Sequence, residues 1–130
     1  MLDGKRILIA EDDKDIVEMY QDYFAFNKNT QKAIFTYTCA PKTTKEALDN
    51  NSFDVMLLDL GVGDYAPPLR LVFLKEYAKK IKIIVITAYT EYKEECFRLG
   101  AIDFLPKPSY MSQIIEAFIK AVNLPFQKFS

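Results

Sequence analysis

The sequence predicts an α/β fold in which a parallel sheet is covered by helices on both faces. Short apolar segments alternate with longer amphipathic ones, five of each along 130 residues. The short segments are continuously apolar or rich in β-branched and aromatic residues, which is typical of strands buried on both faces. Strands that alternate with helices favour parallel, right-handed crossovers. A chain of this length suits one domain, residues 1–130, and we expect no effector domain after the fifth helix.

The ten elements are separated by short polar or glycine- and proline-containing connections. In chain order they are strand 6–10, helix 14–24, strand 33–39, helix 41–48, strand 55–60, helix 69–80, strand 83–87, helix 90–99, strand 102–105 and helix 109–123. Apolar residues in the helices recur at spacings of three and four, as on one helical stripe. Asp13 or a neighbour is a candidate N-cap for the first helix, and Thr43 for the second. Gly100 occupies the favoured position after the fourth helix.

Composition excludes several classes of protein. The net charge of -1 gives no electrostatic attraction to nucleic acid or to an anionic membrane. No apolar run approaches the roughly 18 residues of a spanning helix, and the first apolar run ends in acids, so we expect no signal peptide and a cytoplasmic protein. Because there is no histidine, a histidine-based triad or zinc site is excluded. Cys39 and Cys96 lack metal-type spacing, and we expect reduced thiols.

Polar side chains recur where the predicted strands end. They are Asp12, Asp13, Asp59, Thr87 and Lys107. Each alone has an ordinary structural explanation, as a helix cap or a solvated surface residue. Ligands of open α/β sheets bind at the carboxyl ends of the strands, so we expect the five to surround one crevice.

The charges of this set indicate its chemistry. Three carboxylates in one poorly screened pocket repel one another by about 4 kcal/mol per pair. Oxygen ligands of this kind favour a hard divalent cation, Mg²⁺ first. Asp59 is then a carboxylate nucleophile that can form an aspartyl phosphate. Lys107 would neutralise the phosphoryl oxygens and the Thr87 hydroxyl would donate a hydrogen bond to one of them.

Four segments carry a resemblance to a known family. They are residues 7–13 (ILIAEDD), 57–60 (LLDL), 86–88 (ITA) and 99–108 (LGAIDFLPKP). Together they resemble the receiver domain of two-component response regulators, over essentially the whole chain. The resemblance implies a flavodoxin-like, three-layer (βα)5 sandwich whose five-stranded parallel sheet has the order 2-1-3-4-5.

The resemblance also implies which residues bind metal and phosphate. Asp59 matches the phosphoacceptor. Asp12 and Asp13 match the acidic pair that holds Mg²⁺, with Asp13 the direct ligand. Gly61 matches the position that offers its backbone carbonyl to the metal, although the loop 61–68 departs from the usual family pattern.

A second group of positions matches the residues that respond to phosphorylation. Thr87 matches the switch hydroxyl, and Phe104 the aromatic that moves between outward and inward positions, here without the hydroxyl of the commoner tyrosine. Lys107 matches the phosphate-contacting lysine, and the resemblance implies a cis bond to Pro108. Tyr89 is bulky and lies two residues after Thr87, so we predict slow loss of the phosphoryl group.

The function implied is phosphorelay signalling. The chain would accept a phosphoryl group from a histidine kinase or phosphotransfer protein, catalysing only its own phosphorylation and dephosphorylation. The face of helix four, strand five and helix five would then bind an unidentified protein target or a second copy of the chain as a phosphorylation-dependent dimer. Four aromatic residues could belong to that face, although core or tail packing also accounts for them. They are Tyr92, Tyr110, Phe126 and Phe129.

Three alternatives are weighed against this function. The first is a receiver-like interaction module that no longer takes phosphate, against which the complete five-residue set argues. The second is an aspartyl phosphohydrolase, which needs a second acid two residues after the nucleophile, where Gly61 stands. The third is a flavin-binding module, whose phosphate the acids at 11–13 would repel.

Overall fold

The computed structural model describes residues 2–60 and 67–125, of which 67–69 by backbone alone. Within these ranges five strands alternate with five α-helices, and a short 3₁₀ turn precedes the fourth helix. The elements are β1 (Arg6–Ala10), α1 (Lys14–Phe26), β2 (Ile34–Thr38), α2 (Pro41–Asn50), β3 (Val55–Asp59), α3 (Pro67–Tyr77), β4 (Lys82–Thr87), the 3₁₀ turn Thr90–Tyr92, α4 (Lys93–Arg98), β5 (Asp103–Pro106) and α5 (Met111–Asn123).

The strands form one parallel sheet in the order β2-β1-β3-β4-β5, which confirms the predicted fold class. The register aligns the strand ends that matter here. Asp59 of β3 pairs with Ile86 of β4, and Thr87 of β4 pairs with Pro106 of β5. Side chains that follow β1, β3, β4 and β5 therefore share one edge of the sheet.

Each face of the sheet is covered by a separate hydrophobic core, because successive strand residues point to opposite faces. Ile9, Leu57 and Ile84 pack with α1 and α5, whereas their neighbours Leu8 and Met56 pack with α2, α3 and α4. All five of these side chains are at most 1% exposed. Burying a side chain of this size contributes about 1.5–3 kcal/mol to folding, so the two cores hold the strand ends in place.

An aromatic cluster fixes α1 against the sheet. Phe24 is 1% exposed, and its ring stacks on Phe35 of β2 at 4.7 Å between centroids. Tyr20 and Phe118 contact the same ring at 5.6 and 5.9 Å. Tyr20 and Phe24 are thus the residues of α1 that face the core, whereas Tyr23, at helical spacing from Tyr20, is 41% exposed.

The second helix begins at Pro41, as predicted, but its N-cap differs from the prediction. Its N-cap is Ala40 and not Thr43, and Pro41 occupies the first turn. The Thr43 hydroxyl instead donates to the carbonyl oxygen of Ala40 at 3.0 Å. Proline at the first helical position has a preset φ and no N–H to satisfy, so the helix can start there without a side-chain cap.

The remaining differences are small shifts of element ends. The third helix starts two residues earlier than predicted, at Pro67, and ends at Tyr77. The predicted fourth helix divides into the 3₁₀ turn and α4. Gly100 follows α4 with φ 110°, as its position predicts.

Candidate functional site

Asp59 lies at the carboxyl end of the central strand. It is the last residue of β3 and only 3% exposed. The Lys107 ammonium donates to its Oδ2 atom at 2.8 Å. The buried Asp59 carboxylate is thus held in an ion pair with Lys107.

Lys107 reaches Asp59 because β5 continues the sheet past β4. The Lys107 backbone N–H donates to the carbonyl oxygen of Thr87 at 2.9 Å. The peptide bond from Lys107 to Pro108 is cis, as the family resemblance implies. The side chain then crosses β4 and β3 and donates at 2.8 Å to Glu11, which follows β1.

Glu11 is therefore the third member of a buried ionic cluster. It is 3% exposed. Burial, followed by hydrogen bonding to Asp59, raises the pKa of Glu11 to about 7. Burial works to lower the pKa of Lys107, but its hydrogen bonds to Asp59 and Glu11 raise it overall. The ammonium is accordingly charged throughout the physiological range.

A group of carboxylates at this edge could hold a cation. Oxygen atoms of Glu11, Asp12 and Asp59 lie within 4.8 Å of one another. The Oδ1 atom of Asp12 is buried and has no hydrogen-bond partner in the part of the chain that the structure describes. Buried acceptors are normally satisfied, so an unsatisfied one beside two further carboxylates indicates a position for an ion or water.

Asp13, which the sequence predicts to be the direct metal ligand, is not part of this group. Its Oδ1 accepts from the backbone N–H groups of Asp15, at 2.9 Å, and Ile16, at 3.4 Å, so Asp13 is the N-cap of α1. A carboxylate aimed at the first turn of its own helix points away from the sheet edge. The acidic pair beside Asp59 is therefore Glu11 and Asp12, one residue earlier than predicted.

Glu11 is the residue that sequence reasoning missed. The sequence contains a signal that points to Glu11, because three acids follow β1 and the third of them, Asp13, is a candidate cap for the first helix. One carboxylate cannot both accept from the helix N–H groups and turn towards Asp59. Assigning the cap first would have left Glu11 and Asp12 as the pair.

Thr87 ends β4 and is fully buried. Its hydroxyl oxygen accepts from the backbone N–H of Tyr89 at 3.0 Å, an arrangement that leaves the hydroxyl hydrogen able to donate. Phe104 is 7% exposed and packs in the core on the α3–α4 side, so its ring lies inward. Both predicted switch residues are thus next to the strand ends that carry Asp59 and Lys107.

Some predicted site residues lie outside the described ranges. They are Gly61, Phe126 and Phe129. The roles expected for them remain predictions. Cys39 and Cys96 are free thiols, the first exposed and the second buried.

Comparison with known proteins identifies the family. Residues 7–119 match the sequence model described as response regulator receiver domain. The chain belongs to this family. Receiver domains signal by phosphorylation in two-component systems, and in general they are not enzymes that turn over a separate substrate. None of the described helices is long and apolar enough to cross a membrane.

Curated relatives include the response regulator SaeR of Staphylococcus epidermidis. It is 30% identical over 104 residues, which are 78% of this receiver domain and 43% of SaeR. This receiver domain thus spans less than half the length of that relative.

Solved structures show the same fold. The non-phosphorylated HemR receiver domain of Leptospira biflexa has a TM-score of 0.80 at 21% identity, with 97% of this chain and 100% of that chain covered. The response regulator TrrA of Thermotoga maritima, in complex with Mg²⁺ and BeF, has a TM-score of 0.72 at 19% identity, with 90% and 98% covered.

Proposed function

We propose that Asp59 accepts a phosphoryl group from a phosphohistidine on a histidine kinase or phosphotransfer protein, in a reaction that needs Mg²⁺. One observation carries this proposal. The buried Asp59 carboxylate is hydrogen-bonded by Lys107 and lies beside a buried oxygen of Asp12 that has no hydrogen-bond partner among the described residues. A nucleophile, a cation for the phosphoryl oxygens and carboxylate oxygens that can hold a metal are the parts that such a transfer requires.

The donor set fits magnesium. Mg²⁺ is usually held by one or two carboxylates and keeps several waters. Asp12 and Asp59 would be its protein ligands, because oxygen atoms of the two lie within 4.8 Å of each other and the Oδ1 atom of Asp12 accepts no hydrogen bond within the described residues. The Gly61 carbonyl is a further candidate by family resemblance. When bound, the ion would supply positive charge close to the transferred phosphoryl group.

Side chains of the protein itself would carry out the other steps of the transfer. An Asp59 oxygen attacks the phosphorus atom, and the bond from phosphorus to the donor imidazole breaks. Lys107 keeps its ammonium against the new phosphoryl oxygens, which carry more negative charge than the carboxylate they replace. Thr87 donates its hydroxyl hydrogen to one of these oxygens.

The same Thr87 contact suggests how the signal leaves the site. Its hydroxyl accepts from Tyr89, and the next residue begins the turn Thr90–Tyr92 that leads into α4. When Thr87 turns to the phosphoryl group, that contact is lost and the start of α4 can shift. We propose that this shift changes the face of α4, β5 and α5, to which a target protein or a second phosphorylated copy binds.

The direct test is the intact mass of the protein after incubation with Mg²⁺ and a small phosphodonor. We expect the wild type to gain one phosphoryl group and Asp59→Asn to gain none. Asp3→Asn, which replaces an exposed carboxylate, is the matched control and should be modified like the wild type. A wild type that stays unmodified under saturating donor, or an Asp59→Asn variant that is modified, would contradict the proposal.

A further inference from the structure

The outer face of α1 carries a stripe of apolar side chains lined by acids, here called the acidic face. Its residues recur at spacings of three and four, so they lie on one side of the helix. They are Asp15, Glu18, Met19, Asp22, Tyr23 and Phe26. The three apolar members are 49%, 41% and 87% exposed, and the groove beside them measures about 790 Å³.

The acids of this face are not neutralised within the chain. In the described ranges, Asp15, Glu18 and Asp22 take part in no ion pair within 4 Å. Solvation alone would explain three exposed acids. It does not explain why Tyr23 and Phe26, two large aromatic side chains, are exposed among them, because exposed apolar surface rimmed by charge marks a binding face.

A second groove, of about 530 Å³, lies between α3 and α4 and has the opposite charge, and we call its lining the basic face. The residues that define it are Val72, Lys75, Lys79, Arg98 and Leu99. Val72 is 64% exposed at its centre. Glu76 also lines the groove, but Lys45 binds its carboxylate at 3.3 Å, and Arg98 is paired with Glu95. Within the described residues Lys75 and Lys79 have no ion-pair partner.

The two faces point in opposite directions. The buried side of α1 packs on one face of the sheet, and that of α3 and α4 packs on the other. The outer surfaces of these helices are therefore separated by the full thickness of the three layers. Two copies cannot satisfy both pairs of faces at once in a closed dimer.

We propose that the acidic face of one copy binds the basic face of a second copy, so that the chain self-associates head to tail. The occupant is a second copy because the two faces complement each other in charge, and each places exposed apolar side chains between its charges. Such a heterologous contact does not close on itself and allows further copies to add. The inference is independent of the proposed phosphoryl transfer.

The first test is sedimentation velocity of the wild type over a range of concentration and salt. At low salt we expect the weight-average mass to rise with concentration beyond that of a dimer. It should fall towards the monomer at about 1 M salt, where the Debye length is only about 3 Å. A wild type that remains monomeric at millimolar concentration and low salt would overturn the proposal.

Charge reversal on each face provides a matched pair of variants. Glu18→Lys/Asp22→Lys makes both faces basic, and Lys75→Glu/Lys79→Glu makes both acidic. Each variant alone should remain monomeric, because its faces repel. All four positions are exposed, and circular dichroism would verify that both variants fold.

Mixing the two variants is the decisive measurement. In an equimolar mixture each basic face meets an acidic one, so the concentration-dependent rise beyond a dimer should return. If the mixture stopped at a dimer, the contact would be a symmetric one between like faces. If it stayed monomeric, association would not depend on these charges. Either result would overturn the head-to-tail contact.

Discussion

Three consecutive acids after β1 have three different tasks. Glu11 accepts a hydrogen bond from Lys107, Asp12 has a buried oxygen with no partner in the ranges that the structure describes, and Asp13 caps α1. Their chemistry is nearly identical, so the division depends on direction alone. Each residue of the turn aims its carboxylate at a different neighbour.

This division predicts different effects on metal binding. Asp12→Asn should weaken Mg²⁺ binding about tenfold or more, since it replaces a charged ligand with an amide. Asp13→Asn should bind Mg²⁺ nearly as the wild type does, because asparagine caps helices as well as aspartate. Calorimetric titration with Mg²⁺ would measure both constants. Equal losses in the two variants would show that Asp13 also binds the metal.

A second residue-scale prediction concerns the lifetime of the phosphoryl group. Tyr89 follows the buried Thr87 by two residues, is 41% exposed and meets Tyr92 edge to face at 6.5 Å between centroids. We expect its bulk to hinder attack by water, so Tyr89→Ala should lose phosphate severalfold faster when the intact mass is followed over time. Tyr89→Phe keeps the ring and should retain the wild-type rate. If Tyr89→Ala were no faster than Tyr89→Phe, the ring would not protect the phosphate.

At the scale of elements, the turn after α4 depends on a glycine. Gly100 has φ 110°, and a Cβ atom there would lie 2.8 Å from the Ala78 Cβ atom, which follows α3. Gly4 also has a positive φ, 74°, but a Cβ atom there would meet nothing within 4 Å. Comparing alanine substitutions at Gly4 and Gly100 therefore separates the cost of backbone strain from the cost of steric overlap.

We expect Gly4→Ala to lower the free energy of unfolding by about 1–2 kcal/mol, the cost of a left-handed residue with a side chain. Gly100→Ala should cost more, roughly 2–4 kcal/mol, because overpacking adds to the strain. Urea unfolding would give both values. Similar losses would mean that α3 and α4 move apart freely at this point.

The sequence predicts the elements well because each strand is a nearly pure apolar run. The burial of every residue of Val55–Asp59 follows from a pattern that only a central strand satisfies. Element ends are less predictable. Thr43 has the chemistry of a cap, yet the N-cap is Ala40, because Pro41 fixes the backbone of the first turn. Residue preferences indicate which residues can cap or start a helix, and the conformation of the backbone determines which of them does so.

The site residues also differ in how well the sequence predicts their position. The structure places Asp59, Thr87 and Lys107 at the strand ends where the sequence puts them, because strand register is set by long apolar segments. The choice between Glu11 and Asp13 depends on the dihedral angles of one turn. No composition or spacing reports those angles, so the pair was predicted one residue too late.

At the scale of the whole molecule, stability should depend on pH through Glu11. Its pKa is raised from 4.5 to about 7 by burial, so the folded state holds a proton that the unfolded chain releases. This stabilisation is complete below pH 4.5 and is lost as the pH rises through about 7. Without divalent cations, Glu11→Gln should therefore exceed the wild type in stability at pH 8 but not at pH 4.

Thermal unfolding in EDTA at both pH values would measure this difference, which should reach about 1–3 kcal/mol at pH 8. The variant keeps an oxygen that can accept from Lys107, so the comparison isolates the charge. A gap between the two proteins that does not change with pH would show that folding leaves the pKa of Glu11 unchanged.

The charges of the residues at this edge of the sheet determine which ion can make the pocket neutral. Once the pH rises above the pKa of Glu11 and its proton is released, the three carboxylates of Glu11, Asp12 and Asp59 face the single positive charge of Lys107. A divalent ion makes the pocket neutral, whereas sodium or potassium leaves it negative. A negative pocket would repel an anionic phosphodonor, whereas a neutral pocket would not. We therefore expect the donor to bind only when the divalent ion is bound.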